Sequence, residues 1–307
     1  FRYDVGVDWM SYKEIFLNIK NLPSFLEYTS LEVGYLYINK FVINIDANYT
    51  LMFFIVTLIS WFFIFKSVPS RLLPLTLYFI FTDEYFFWSM NGIRQFMAVS
   101  IFLYALKFIN AKKFYHYLFY ILFASLFHQS VLVLIPIYFV PFDKLYNQMV
   151  WIILFCSTIL LNSRGVMNSI IDKIIVVLSN YSTKVAKYGQ FTDLKLLHGQ
   201  ETSYGAGYYI KILASFFIFL VSNIIIKKYP NSRIYFILFF IGAIAFNLFV
   251  EFSLVNRFIS YFLILRPFVL AIICYELWNK KVHFIWVIGI VVLYFMLFLC
   301  FMIILGY

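Results

Sequence analysis

Ionisable side chains that could carry out chemistry gather where the apolar runs of this chain end. The set comprises Arg2, Asp4, Asp8, Glu14, Glu32, Asp83, Glu84, Arg94, His128, Glu251 and Arg257. Carboxylates and histidine can accept a proton, and the planar guanidinium of arginine binds phosphate oxygens. A charge near the membrane core costs about 2.5 to 3.5 kcal/mol, so such groups usually face a cavity or one another. This set suits the displacement of a lipid-linked phosphate without a metal ion.

Arg94 is the sharpest single candidate. It lies within residues 91–95, in the first turn expected for a helix whose free N–H groups and dipole favour an anion. There it could clamp a phosphate, or it could form a structural bridge with Asp83 or Glu84, and the spacing does not decide between these. Arg257 repeats the arrangement at the start of another helix, and two such arginines could hold a pyrophosphate.

Other kinds of chemistry find no support in the sequence. It contains no P-loop, no His-Glu-x-x-His, no Cys-x-x-Cys and no serine elbow. Cys156, Cys274 and Cys300 each sit in an apolar run, where a thiol behaves as a small hydrophobe. The net charge is +10, yet no basic stripe interleaved with exposed aromatics accompanies it. We therefore expect no metal, no cofactor and no nucleic-acid partner.

Composition indicates the solvent in which these groups must be positioned. The 307 residues are 64% hydrophobic and 12% charged, with 40 Phe and 25 Tyr, and the mean hydropathy is +0.89. So little polar surface cannot cover a water-soluble globule. The sequence predicts an all-α polytopic membrane protein that forms a single membrane domain over residues 1–307.

About ten membrane-crossing or membrane-entering segments are expected, because a helix needs roughly 20 apolar residues to span the bilayer. The runs lie near residues 50–65, 72–88, 93–109, 114–140, 149–163, 208–226, 233–250, 257–277 and 282–305. Connectors rich in Lys or Arg should be cytoplasmic, and these are 66–71, 107–113, 227–233 and 280–281. The resulting layout has an outer-face segment at 1–48, a first helix group at 49–163, an outer-face loop at 164–207 and a second helix group at 208–307.

The stretch 114–140 decides the parity of the layout. If this stretch crossed the membrane only once, the basic connector at 227–233 would lie on the outer side, so an extra crossing is needed. A polar break at 127–130 offers one, and we expect a helical hairpin that rises to His128 and descends to Pro141. The alternative is one kinked helix in which His128 bonds to a neighbouring carbonyl.

The outer loop at 164–207 is the longest polar stretch. Apolar residues along 166–178 predict an amphipathic helix on the membrane surface. The glycine-containing remainder is typical of a mobile flap, which either closes over a substrate or simply connects two helices.

Several patches of the chain resemble the EpsG family of Wzy-type polysaccharide polymerases, bacterial membrane proteins of exopolysaccharide, capsule and O-antigen assembly. They are RYDVGVDW at 2–9 followed by Tyr12, EVGY at 32–35, NGIRQ at 91–95 running into IFLYALK at 101–107, LFHQS at 126–130 with Pro136, and, more weakly, Asn256 and Arg257 with Tyr261 and Phe262. The similarity is good over residues 1 to 140 and vague beyond. Val7, Trp9 and Val33 depart from the family pattern, but the charges are intact. Family members begin with a further helix, so we expect a segment to precede Phe1.

The resemblance implies glycosyl transfer at the outer leaflet of the bacterial cytoplasmic membrane. A growing glycan would leave undecaprenyl pyrophosphate and join a lipid-linked repeat unit, with membrane lipid and a chain-length regulator protein as further partners. In this scheme cations bind the pyrophosphate, acidic residues or histidine act as base or bind sugar, and neighbouring polar groups contact the substrate. The assignments are Arg94, Arg257 and Arg2 for the pyrophosphate, His128, Asp4, Asp8 and Glu32 for the base or sugar contacts, and Gln95 and Tyr12 for substrate binding.

Two other classes of function share parts of this logic. An O-antigen ligase, or a glycosyltransferase that uses a polyprenyl-phosphate sugar, needs the same outward carboxylates and arginines. A flippase or transporter of lipid-linked glycan usually carries internal repeats. The two halves of this chain show no repeat, which argues against transport.

Overall fold

The computed structural model describes residues 8–21, 31–83, 85–163, 206–249, 253–279 and 284–305. Within these ranges the chain is built from helices and connecting turns, and none of them contains a strand, which confirms the all-α fold class. The α-helices are α1 Trp9–Asn21, α2 Val33–Asn44, α3 Tyr49–Ser67, α4 Leu73–Thr82, α5 Tyr85–Asn91, α6 Ile93–Asn110, α7 Phe114–Ser125, α8 Phe142–Leu145, α9 Gln148–Ser163, α10 Ala206–Lys228, α11 Arg233–Phe249, α12 Ser253–Leu263, α13 Arg266–Asn279 and α14 Phe284–Leu305. Three 3₁₀ helices cover Ser70–Leu72, Gln129–Phe139 and Pro230–Ser232.

Among the described residues, five helical stretches are long and apolar enough to cross a membrane. They are Tyr49–Ser67, Ile93–Asn110, Gly207–Lys228, Pro230–Phe249 and Val255–Asn279. Shorter apolar helices cover Ser70–Thr82, Phe114–Ser125, Gln129–Phe139, Gln148–Leu161 and Phe284–Cys300. The chain is therefore a polytopic α-helical membrane protein, while the total of about ten membrane segments stays a prediction. The amphipathic helix and flap expected between 164 and 207 fall outside the described residues.

By contacts, the chain divides into two compact units. The first comprises Phe1–Val140 with Cys274–Tyr307, and the second comprises Pro141–Ile273. The organisation as a single membrane domain stays a prediction.

In the first unit, α1 and α2 dock on the beginning of α3. The buried side chains of α1 recur at helical spacing, at Trp9, Tyr12, Phe16 and Ile19. The Tyr12 ring meets the Phe53 ring edge-on at 6.4 Å, and the Tyr35 hydroxyl lies 3.7 Å from the Met52 sulfur. The amino-terminal helices are thus packed against the first turns of a membrane-length helix.

Helix α6 forms the centre of this unit, because its residues from Gln95 to Leu103 are all buried. Arg94, at its start, lies near Tyr35, which also contacts the start of α3. Farther along, the Phe63 ring of α3 meets the Tyr104 ring of α6 at 5.4 Å. Helices α3 and α6 therefore run side by side in the same direction.

The segment after α6 folds back on itself. The ring of Phe114, which begins α7, lies 5.0 Å from the ring of Tyr138 near the end of the 3₁₀ helix. Midway, the Tyr117 hydroxyl donates to the Leu134 carbonyl at 2.7 Å. Two antiparallel arms with His128 at the turn match the hairpin expected from the polar break, and not one kinked helix.

The second arm of the hairpin differs from the half-length α-helix that was expected. It is a 3₁₀ helix of 11 residues, which is long for this kind of helix. Pro136 lies inside it. Proline has no backbone N–H to donate, and in an α-helix its ring clashes with the carbonyl four residues earlier. The three-residue period of the 3₁₀ form puts Val131 and Leu134 on the buried side.

Two runs expected to be continuous are broken. The run 72–88 divides between α4 and α5 at Asp83, whose backbone is extended. The run 257–277 divides between α12 and α13. Helix α12 ends at Leu263, four residues before Pro267, as expected from the clash between a proline ring and the fourth carbonyl before it.

Aromatic stacking dominates the second unit. The rings of Phe219 and Phe240 stack at 4.0 Å, and Phe155 lies 4.7 Å from Phe219. Helices α11 and α12 approach closely at Gly242, where an added Cβ would lie 2.6 Å from the Phe262 Cβ. Close approach at a small residue is typical of helix packing in membranes.

Candidate functional site

Three charged or titratable side chains from separate elements meet in the first unit. The Oε2 atom of Glu32 accepts a hydrogen bond from Nη1 of Arg94. Its Oε1 atom lies 3.1 Å from Nδ1 of His128. Glu32 precedes α2, Arg94 lies in the first turn of α6, and His128 lies at the turn of the hairpin. We call these three residues the Glu32 cluster.

A backbone contact sets the distance between α2 and the hairpin. The Gly34 N–H donates to the Leu126 carbonyl at 2.8 Å. A Cβ at this position would lie 2.8 Å from the same oxygen and 2.8 Å from the Phe127 ring. Only glycine allows this approach, and the approach brings Glu32 within reach of His128.

The Glu32 cluster is partly withdrawn from solvent. The exposed fractions of the side chains are 11% for Glu32, 26% for Arg94 and 20% for His128. Burial acts to raise the pKa of the Glu32 carboxyl, but the hydrogen bond from His128 and the charge of Arg94 outweigh it, so the pKa is lowered overall. Glu32 is therefore an ionised carboxylate at neutral pH.

Two tyrosines flank the arginine of the cluster. The guanidinium carbon of Arg94 lies 5.6 Å from the Tyr35 ring centroid and 6.0 Å from that of Tyr12, within the range of cation–π attraction. Burial raises the pKa of Tyr12, and Arg94 acts in the opposite direction. The rings and Glu32 together fix the position of the guanidinium.

The hydrogen bonds define what each group can still do. A carboxylate offers only acceptors, so the Nδ1 atom of His128 must carry the hydrogen that it shares with Glu32. In neutral His128 the Nε2 atom is then the proton acceptor. Arg94 uses Nη1 for Glu32, and its buried Nε has no protein hydrogen-bond partner in the described part of the chain. The cluster thus combines a histidine and an arginine that are held by the same carboxylate.

The other predicted site residues are distributed as follows. Tyr12 joins the surroundings of Arg94, and exposed Asp8, just before α1, is near enough for its charge to act on Tyr12. Gln95 is 7% exposed. Arg257 is exposed on α12, in the second unit. Arg2 and Asp4 lie outside the described residues.

Among the described residues, Arg94 bridges a different carboxylate from the Asp83 that was expected. Arg94 does form a bridge, but with Glu32, 62 residues away in the sequence. Asp83 is buried at the end of α4, and Glu84 is outside the described residues. Short sequence spacing suggested a local partner, whereas tertiary packing supplied a distant one.

Sequence reasoning assigned no role to Gly34 and Tyr35. Tyr35 is fully buried and lies against the guanidinium of Arg94, and Gly34 sets the contact with the hairpin. The signal was available, since both residues lie within three positions of Glu32 in the EVGY patch. No group of three or more His, Cys, Asp or Glu in the described ranges is placed to hold a metal ion.

Comparison with known protein families identifies the family of this chain. A model of the EpsG family matches residues 1–306. The chain belongs to the EpsG family. The match covers nearly the whole chain, so it includes the part beyond residue 140, where the resemblance of the patches was vague. No curated protein and no solved structure matches it.

Membership in the EpsG family suggests a function of the polysaccharide-polymerase type in a bacterial membrane. The structure adds a relation between the patches that carried the resemblance. Glu32, Arg94 and His128 belong to three different patches, and they meet in one cluster of this EpsG protein.

Proposed function

We propose that this EpsG-family protein is a polysaccharide polymerase. It transfers a growing glycan from undecaprenyl pyrophosphate to a lipid-linked repeat unit at the outer leaflet of the cytoplasmic membrane. The observation that carries the proposal is the Glu32 cluster, in which one carboxylate holds both a histidine and an arginine. Glycosyl transfer to a hydroxyl needs a base for the acceptor and a cation for the departing phosphate, and the cluster provides one of each.

His128 is the general base in this scheme. Its Nε2 atom takes the proton of the acceptor hydroxyl while that oxygen bonds to the anomeric carbon of the donor glycan. Glu32 accepts the Nδ1 hydrogen bond, which orients the ring and stabilises the imidazolium that forms. A base positioned in this way contributes roughly 10² to 10⁴ in rate.

Arg94 receives the charge that develops on the leaving group. As the bond from the anomeric carbon to the pyrophosphate oxygen breaks, negative charge grows on the pyrophosphate. The guanidinium stands in the first turn of α6, where the helix dipole also favours an anion. Preorganised donors of this kind need no metal ion.

The remaining predicted residues keep their proposed roles as substrate contacts. Arg2 is a further cation for the pyrophosphate, and the same role for Arg257, which lies in the second unit, stays a prediction from the sequence. Asp4 and Asp8 bind sugar hydroxyls, and Gln95 and Tyr12 are further substrate contacts. Glu32, which was a candidate base, is reassigned to positioning, because both of its oxygens are engaged.

The charges along α6 support the proposed sidedness. Lys107 lies thirteen residues after Arg94, or about 20 Å along a helix axis. Lys66, at the end of α3, is close enough to act on Tyr104 near Lys107. Lysines near helix ends favour the cytoplasmic side, so the Glu32 cluster, at the opposite end of α6, faces outward.

The test uses the purified full chain in vesicles with lipid-linked repeat units as the sole substrate. A polymerase extends these units into a ladder, whereas a ligase requires a second type of acceptor and a flippase makes no glycosidic bond. We expect His128→Gln to lower the rate of ladder formation by roughly 10² to 10⁴. His116→Gln is the matched control, because His116 lies against Phe108 at the other end of α6.

Two results would overturn the proposal. One is a wild-type protein that transfers glycan only when a different acceptor class is supplied. The other is a His128→Gln variant that polymerises as fast as the His116→Gln variant.

A further inference from the structure

A groove on the first unit lies far from the Glu32 cluster. It has a volume of about 380 Å³ and is lined by Leu75, Tyr275, Trp278, Val287, Ile288 and Val291. These residues belong to α4, the end of α13 and α14. The Tyr78 hydroxyl donates to the Val291 carbonyl at 2.6 Å, which ties α4 to α14 beneath the groove.

The walls of the groove are almost wholly apolar. Trp278 is 59% exposed and Ile288 is 46% exposed, so large apolar surfaces face outward from the protein. A polar molecule would lose its hydration here without gaining hydrogen bonds. An alkyl chain loses no hydrogen bonds on entering the groove, and the volume of the groove falls within the range of small-ligand sites.

One end of the groove carries a positive charge. The guanidinium carbon of Arg71 lies 5.5 Å from the centroid of the Tyr275 ring, which is part of the lining. Arg71 is exposed and precedes the lining residue Leu75 by four positions, about one helical turn. A planar guanidinium stacked on an aromatic ring is held in a defined orientation and is well suited to phosphate.

We propose that this groove is a binding site for an anionic glycerophospholipid. One acyl chain lies along the apolar walls, and the lipid phosphate contacts Arg71. Trp278 then stands at the level of the headgroups, where tryptophan is enriched in membrane proteins. The connector that contains Arg71 is predicted to be cytoplasmic, and that leaflet carries anionic lipid.

This site is separate from the proposed catalytic one. The Glu32 cluster lies near the beginning of α3, whereas Arg71 follows its end at Ser67. The 19 residues of α3 span about 28 Å. The lipid is therefore a constituent of the folded protein and not the glycan carrier during transfer.

Native mass spectrometry of the full chain, titrated with phosphatidylglycerol in detergent, tests the proposal. We expect one phosphatidylglycerol to bind well above the non-specific background. Arg71→Gln should weaken this binding about fivefold, as expected for the loss of one cation at a lipid headgroup. Lys66→Gln is the matched control, because Lys66 also lies beside an aromatic ring, 5.9 Å from that of Phe62, but is not part of the lining of this groove.

A second variant separates the groove from the charge. Ile288→Trp fills the groove from an exposed position, so the fold should persist while the bound lipid is lost. The proposal is overturned if Arg71→Gln and Lys66→Gln weaken binding equally, or if Ile288→Trp retains the lipid. It is also overturned if phosphatidylethanolamine or undecaprenyl phosphate binds the wild type as tightly as phosphatidylglycerol.

Discussion

Glu32 shows how the surroundings of a carboxylate decide its role. Among the candidate acids it was grouped with Asp4 and Asp8 as a base or a sugar contact. Its oxygens are instead occupied by Arg94 and by Nδ1 of His128, so accepting a further proton would break one of these bonds. A carboxylate held in this way serves better to orient the histidine than to replace it.

The ionisation of Glu32 should be visible in stability. Because its pKa in the folded protein is below the ordinary value of 4.5, its contribution is fully present above about pH 4.5 and is lost as the pH falls through the lowered value. We therefore expect Glu32→Gln to lower the melting temperature at about pH 6.5, and this difference from wild type to shrink as the pH falls below 4.5.

Thermal unfolding of both proteins in detergent across this range measures the effect. Glu14→Gln, which changes an exposed carboxylate on α1, is the control and should leave the melting temperature nearly unchanged at every pH. A difference between Glu32→Gln and wild type that persists unaltered at the acid end would contradict the assignment.

Arg94 should not tolerate replacement by lysine. A lysine ammonium cannot donate both to Glu32 and, in a planar fork, to phosphate oxygens. We expect Arg94→Lys to reduce polymer formation at least tenfold while the protein remains folded in the membrane, measured on the same glycan ladder. Arg233→Lys is the control, since Arg233 also pairs with a carboxylate, that of Asp143, at an exposed position. Equal activity of these two variants would remove Arg94 from the mechanism.

At this scale the sequence indicated candidate residues but not which of their atoms meet. Arg94 lies in a first helical turn as expected, because Gly92 and the apolar run after it mark the start of α6. Its pairing with Glu32 depends on packing between distant segments, and no local pattern encodes that. Charge alone was enough to predict that the lysines ending α3 and α6 lie at the opposite end of these helices from Arg94.

At the scale of elements, the contact between α2 and the hairpin is the least adaptable part of the site. Gly34→Ala would place a methyl group 2.8 Å from a backbone oxygen, which cannot rotate away as a side chain can. We expect a loss of stability of about 1 to 3 kcal/mol, together with a fall in polymerisation as Glu32 moves away from His128. Thermal unfolding and the ladder assay measure the two effects.

A second glycine provides the control for this substitution. An added Cβ at Gly289, within α14, would meet no atom within 4 Å. Gly289→Ala should therefore leave activity intact and, if anything, raise stability, since alanine is the better helix former. Similar losses in both variants would show that the contact at Gly34 does not position the site.

Element boundaries were predictable where composition changes sharply and less so where one residue alters an apolar run. The hairpin could be predicted from its polar break at residues 127–130. The 3₁₀ form of its second arm was not predicted, although the sequence shows Pro136. The break before Pro267 was not predicted either. In both cases the proline acts on a carbonyl four residues earlier, so its effect appears upstream of the residue that causes it.

At the scale of the whole molecule, the sidedness of the membrane protein is open to direct measurement. The proposed layout puts α1 outside and the connector between α6 and α7 inside. In a variant lacking the three native cysteines, Glu14→Cys should react with a membrane-impermeant maleimide in intact cells. Lys112→Cys should react only after the membrane is permeabilised. The reverse labelling pattern would place the Glu32 cluster on the cytoplasmic side and would contradict the proposed function.

Composition was sufficient to predict a membrane protein, because 64% hydrophobic residues leave no alternative solvent for the surface. Several long apolar helices were also predictable from their length. The grouping of Cys274–Tyr307 with the amino-terminal unit was not. It depends on contacts such as that between Phe79 and Tyr294, which join segments far apart in the chain.

The hydrogen bond from Gly34 to Leu126 also constrains the order of events during biosynthesis. Helix α2 leaves the ribosome roughly 80 residues before the hairpin that it docks against, an interval of about 4 to 16 seconds at typical elongation rates. The carboxylate of Glu32 gains its two partners one after the other, because Arg94 follows it by 62 residues and His128 by 96 residues. A nascent chain released before residue 140 should therefore be inserted but inert, and the finished cluster appears only when the returning arm closes over a segment that was synthesised earlier.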